Sequence, residues 1–317
     1  MHTALAWRNA TIAGTALRLL FEAGGKPAPT LVVDVLGVGV DRQDCGLIRF
    51  ALTQLGPAAA GGIDQGTLIA VLNAAARRQD AQLADQAWGA LQQGARNHST
   101  VPLPAAFAAA VAAQSACGNI DAAFTLVQEA YVTHPAMDAR PSVWMSLVRA
   151  CAGSPQALDG AYFLLERRRQ AGRSVHVAAL NVVVAACCQA GDIQRACETF
   201  DTFGPVFGVG PTLETFHLLL GVCTWNGRAA SADKMREELV RSGLQQTQVT
   251  VGHLIEADIG QRRLDLALQR LVEAAAAQQL PPRQTLARLR AALEEGQQAE
   301  GLGQLQKAMA DARIRLY

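Results

Sequence analysis

Seven cysteines and six histidines are the side chains of this 317-residue sequence best suited to bind a metal or attack a substrate. Their spacing argues against both roles. Cys151, Cys187 and Cys223 recur at steps of 36 and 36 (187 − 151, 223 − 187), which is neither a disulfide framework nor a zinc motif. Cys187 and Cys188 are adjacent, a spacing that suits no metal. An odd cysteine count without a visible secretory leader fits small thiols packed between helices in a reducing compartment. His2, His98, His134, His176, His217 and His253 form no metal-ligand pair on a helix face, and His217 and His253, 36 apart, occupy adjacent rather than identical register positions. Gly24-Gly25-Lys26-Pro27 lacks the upstream glycine and the Ser/Thr of a phosphate loop, and Gly37-Val38-Gly39 lacks the third glycine of a dinucleotide turn. No nucleophile elbow or paired-acid cluster appears. The residues therefore imply no cofactor, no metal and no enzymatic activity. Two basic groups stand out: Arg283, Arg288 and Arg290, which could meet phosphates, and the run Glu166-Arg167-Arg168-Arg169.

Helices must position these groups. Half the residues are hydrophobic and only 5 % are aromatic. Abundant alanine favours helices and lets their axes approach closely. No apolar run reaches the roughly 18 residues that span a bilayer, so no membrane partner is expected. Twenty-eight Lys+Arg against 27 Asp+Glu, with a pI near 7.6, disfavour indiscriminate binding of nucleic acid but allow a locally basic groove.

The sequence repeats. Alanine recurs at Ala16, Ala51, Ala87, Ala123, Ala161, Ala196, Ala232 and Ala267, at steps of 35, 36, 36, 38, 35, 36 and 35; the next step of 35 reaches Leu302. Four residues on stand Leu20, Leu55, Leu91, Val127, Leu165, Phe200, Arg236 and Leu271, so seven of these eight slots continue one apolar helical stripe. A second helical pattern precedes each alanine, as in Trp144–Cys151, Leu180–Cys187 and Phe216–Cys223. Gly118, Gly191 and Gly227 each lie five residues before an alanine, where a helix should end. Prolines at 211, 281 and 282 separate the units. Each unit is thus expected to be helix A, tight turn, helix B and connector, and stacked copies share the core that one hairpin cannot close. The array should fill residues 1–317 with about seven complete and two partial units of 35–36 residues. The pattern is sharpest over 107–277 and degenerate over 1–100 and 280–317. Because helix A before Ala16 is truncated, the chain is expected to belong to a longer protein. A distorted turn is expected around Val32–Asp44.

The run Leu180-Asn181-Val182-Val183-Val184-Ala185-Ala186-Cys187, followed by Gly191 and then Ala196, resembles the pentatricopeptide repeat. Ser115–Ala123 and Asn226–Ala232 carry the second half of that motif. A tetratricopeptide repeat would have a 34-residue period and a Trp-Leu-Gly-Tyr pattern, and neither is present. The resemblance implies an all-α, right-handed superhelix that binds single-stranded RNA in chloroplasts or mitochondria, the chloroplast being favoured. It implies one base per repeat, hydrogen-bonded by the residue after the aromatic-like position of helix A and by the last residue before the next repeat. The positions so implied are Ala108 with Arg140, Met145 with His176, Asn181 with Thr212, His217 with Thr247 and Gly252 with Pro282. Of these, only Asn181 with Thr212 approaches the family's usual readers, and asparagine there would suggest a pyrimidine. The resemblance thus implies a factor for transcript stabilisation, processing or translation. The alternative is a protein–protein scaffold in an organellar ribosome or gene-expression complex, which near-neutral charge and poor reading pairs would suit. The Glu166–Arg169 run falls on a second helix and is read as solvated surface.

Overall fold

A computed structural model describes residues 10–25, 27–138 and 140–311; His2 and Lys26 lie outside them. All regular structure among the described residues is helical, with no strand. The chain divides into two compact units, Met1–Leu164 and Leu165–Tyr317.

The first unit contains α1 (Ala10–Glu22), α2 (Pro29–Arg42), α3 (Cys45–Ala60), α4 (Gln65–Arg78), α5 (Ala81–Asn97), α6 (Pro104–Ala116) and α7 (Ile120–Thr133). A 3₁₀ turn, Pro141–Trp144, leads into the short α8 (Met145–Cys151), and α9 (Pro155–Gln170) runs past the division between units. The first helices α4 and α6 pack side by side, as do the second helices α3 and α5, while α4 with α5 and α6 with α7 form hairpins. Asp64 and Asp80 cap α4 and α5 by accepting from the Thr67 and Leu83 amides at 2.9 and 3.0 Å.

The second unit contains α10 (Val177–Gln189), α11 (Ile193–Asp201), a π turn at Phe203–Phe207, α12 (Leu213–Trp225), α13 (Ala229–Arg241), α14 (Gln248–Gly260), α15 (Leu264–Ala276), α16 (Arg283–Glu295) and α17 (Ala299–Asp311). First helices α10, α12, α14 and α16 pack in succession. Gly191 and Gly227 end α10 and α12 at φ of +75° and +60°, and the amide of the next residue reaches back to Cys187 O and Cys223 O at 3.0 and 2.9 Å. Only glycine takes that left-handed turn without strain.

All eight repeat alanines lie on second helices, and seven, Ala51 through Ala267, are buried at the packing seam. The spacing slips at both ends. In α17 the seam slot holds Gly301, not Leu302: a Cβ there would stand 2.8 Å from Leu268 Cδ1 and 2.9 Å from Leu293 Cδ2, so a larger residue would have to displace those leucine ends. In α1 the fully buried residue is Leu17, one beyond Ala16.

The expected distortion at Val32–Asp44 is corrected. This stretch is regular helix as far as Arg42, because Val32, Val35, Leu36 and Val38 form a buried stripe. Gly39 marks a close approach instead: a Cβ there would lie 2.9 Å from Ile48 Cγ1 of α3. The kink sits at Gly56 (φ 66°, ψ 167°) inside α3. Pro57 follows it and disfavours helical geometry at the preceding residue.

Candidate functional site

The first helices of the second unit carry a ladder of side-chain bonds. Thr212 begins α12 and Thr215 forms a capping box with it. The Thr215 hydroxyl also donates to Asn181 Oδ1 on α10 at 2.8 Å, and Asn181 Nδ2 lies 3.5 Å from Thr212 Oγ1. One repeat on, His217 Nε2 lies 3.0 Å from Thr250 Oγ1 and 3.3 Å from Thr247 Oγ1. In the next, Gly252 occupies the same place, and a Cβ there would stand 3.0 Å from Pro282 Cδ and 3.6 Å from Thr285 Oγ1.

Three of the residue pairs implied by the resemblance, Asn181 with Thr212, His217 with Thr247 and Gly252 with Pro282, are therefore spatial neighbours. Asn181 is fully buried, and the buried Thr215 and Thr250 hydroxyls engage Asn181 and His217 from the next first helix. Of the other positions, Met145 is 37 % exposed at the start of α8 in the first unit. His176 caps α10, its Nδ1 accepting from the Ala178 amide at 3.2 Å, and burial holds its pKa below the ordinary histidine value. Ala108 is half-buried on α6, and the Arg140 Nε donates to Asp138 Oδ2 at 2.7 Å.

Beside this ladder, α10, α12, α14 and α16 enclose a groove of about 690 Å³. Of the candidate reading positions, His217, Gly252 and Pro282 line it, and His217 is the one with a polar side chain. Trp225, at the end of α12, stands on its wall with 95 % of its surface exposed. The His217 and His253 rings lie side by side, centroids 6.2 Å apart. Burial, reinforced by His253, pushes the His217 pKa down to about 4, and burial lowers that of His253 as well. Both imidazoles are therefore neutral at neutral pH and can each donate and accept a hydrogen bond.

The arginines do not act together. Arg288 lines the groove and pairs with Glu256 at 2.9 Å. Arg283 and Arg290, seven residues apart, share a different face of α16, since at about 100° per residue Arg288 is turned roughly 140° from Arg283. Arg290 pairs with Glu294 at 3.6 Å. The Glu166–Arg169 run lies on second helix α9, as expected.

The repeat cysteines Cys151, Cys187 and Cys223 are buried and in no disulfide. Burial raises Cys187 and Cys223 to about 11, so both are protonated and poorly nucleophilic. Among the described residues no group of three or more His, Cys, Asp or Glu could hold a metal. No described helix is long and apolar enough to cross a membrane. The groove can hold a ligand by stacking, hydrogen bonding and one compensated ion pair.

Sequence reasoning missed Trp225 and His253. For Trp225 a signal exists: Phe216, Leu219, Leu220 and Cys223 form the apolar stripe of α12, and Trp225 falls about 180° from it, where a large aromatic has no core to join.

Residues 65–203 match the sequence model described as pentatricopeptide repeat-containing protein. A mitochondrial pentatricopeptide repeat-containing protein of Arabidopsis thaliana, At1g26460, is 28 % identical over 244 residues, which are 74 % of this chain and 39 % of the relative. A second Arabidopsis thaliana pentatricopeptide repeat-containing protein, At2g01510, is 27 % identical over 126 residues, 39 % of this chain and 14 % of the relative. The chain thus spans well under half the length of either. The pentatricopeptide repeat protein PPR10, solved with an 18-nt psaJ RNA element, superposes with a TM-score of 0.45 at 16 % identity, over 95 % of this chain and 42 % of that one. By its repeat motif, the sequence model matched over residues 65–203 and these relatives, the chain is similar to pentatricopeptide repeat proteins.

Proposed function

We propose that the chain binds single-stranded RNA along the first helices of its second unit, as part of an organellar protein that stabilises, processes or helps translate a transcript. The observation that carries this reading is the groove. Successive first helices enclose it, and it presents an exposed tryptophan, two neutral imidazoles and amide side chains, with no uncompensated charge from the Arg288–Glu256 pair. Those groups suit unpaired bases, which offer a π face and hydrogen-bonding edges. Of the residues implied by the resemblance, His217 is the one we propose for contact with a base, through the ring it presents to the groove, since its Nε2 is held by Thr250 and Thr247. Arg288 is the proposed phosphate neighbour. The mitochondrial relative makes the mitochondrion the organelle proposed, in place of the chloroplast.

A gel shift of the chain with a pool of organellar single-stranded RNA, at low and at raised salt, tests the reading. A shifted complex at low salt, competed by unlabelled single strands and not by duplex, is the expected result. No complex at low salt would overturn it.

A further inference from the structure

We propose that Trp225 is a stacking platform for one unpaired base, a contact separate from the paired readers of each repeat. The proposal rests on the RNA-binding reading above and names how the groove holds its ligand.

Three observations carry it. Trp225 exposes 95 % of its surface although α12 has a complete apolar stripe without it, so the indole takes no part in the repeat's packing. It stands on the wall of a groove whose other polar groups are uncharged or compensated: Asn226 and Gln284 offer amides, and Arg288 is bound to Glu256. The slots that would read base edges in this unit are filled from within, because Thr215 bonds Asn181 and Thr250 bonds His217.

A ligand entering here meets an open aromatic face and neutral hydrogen-bonding groups rather than free cations. That is the chemistry of a nucleobase more than of a phosphate or an acidic peptide. An apolar protein segment would bury the indole but would strip water from the amides and from the Arg288–Glu256 pair without replacing it, at a desolvation cost. A base stacks on the ring while its edge stays free to bond them. Because every base has a π face, the contact tolerates sequence and complements a unit whose reading slots are closed.

The test uses the full chain with short oligoadenylate and oligouridylate, followed by tryptophan fluorescence and by anisotropy of labelled RNA. Trp144 is buried and the half-buried Trp88 packs against Phe107 at 5.0 Å, so among the described tryptophans Trp225 is the most open to quenching. Binding should quench emission in the unaltered chain, and Trp225→Phe should abolish most of the quench while holding affinity within about threefold. Trp225→Ala should weaken binding roughly 5- to 100-fold, the loss that removing one stacked base corresponds to. Helicity should be unchanged, since the residue is outside the core. Normal affinity in the folded Trp225→Ala chain, with RNA bound, would overturn the stacking role and leave RNA binding standing, so that another partner covers the indole. Failure of the unaltered chain to bind either oligonucleotide would overturn both.

Discussion

Thr215 donates its hydroxyl across the seam between two repeats to Oδ1 of Asn181, 2.8 Å away and completely buried. The same placement recurs with Thr250 against His217 at 3.0 Å. The residue expected to face the ligand is thus bonded by the capping threonine of the next first helix. A sequence position associated with recognition here holds neighbouring repeats together.

Asn181→Ala should therefore act on stability before recognition. It leaves the buried Thr215 hydroxyl without its acceptor, which costs about 1–3 kcal/mol. Urea denaturation should show that loss, while affinities for RNAs differing at single bases should keep their ranking. The double change with Thr215→Val should cost less than the sum of the two single changes, because both remove the same bond.

Glu256→Gln should release Arg288 toward phosphate. The pair is 2.9 Å apart with the arginine side chain 59 % exposed, so solvent screens it and stability should change little. RNA affinity should rise, and the slope of log affinity against log salt should steepen by about 0.7, one added phosphate contact on a single strand. An unchanged slope would place Arg288 outside the RNA path.

Acid should destabilise the second unit through His217. Its folded pKa of about 4 lies below the ordinary 6.5, so between those values the unfolded chain holds a proton that the folded chain does not. Stability is then full above pH 6.5 and falls as pH drops toward 4, by up to about 3 kcal/mol. Thermal unfolding followed across that range should show the decline, and His217→Gln should flatten it.

Asp258 anchors a charge network inside the same unit. It is fully buried, accepts from Arg270 Nε at 2.7 Å and is bound by Arg263, while both arginines also reach Asp233. Asp258→Ala removes the buried acceptor of both guanidinium groups but leaves them Asp233, so it should cost about 1–3 kcal/mol. Chemical denaturation measures this directly.

The seam alanines made the repeat legible, because a slot that admits only a small side chain shows itself as a type recurring at fixed spacing. The slot slips to Gly301 at one end, where the side-chain ends of Leu268 and Leu293 crowd the space of a Cβ, and the count of 35 points one residue beyond it. Val32–Asp44 misled for a related reason: Gly39 suggested a turn but serves close packing against Ile48. At the site, register put Asn181 beside Thr212 and His217 beside Thr247, as their side-chain contacts show. It could not show that Thr215 and Thr250 would close those pairs, since a hydroxyl bond between helices leaves no periodic trace. Trp225 was legible only as an aromatic out of phase with its helix.

Photo-cross-linking of bound single-stranded RNA, with the attached peptides identified by mass spectrometry, tests the central claim most directly. RNA held by the first helices of the second unit should cross-link to the ends of α12, α14 and α16 that border the groove, with Trp225 and His253 among the modified residues. Adducts confined to second helices such as α13 and α15, or no adduct on the second unit, would contradict it.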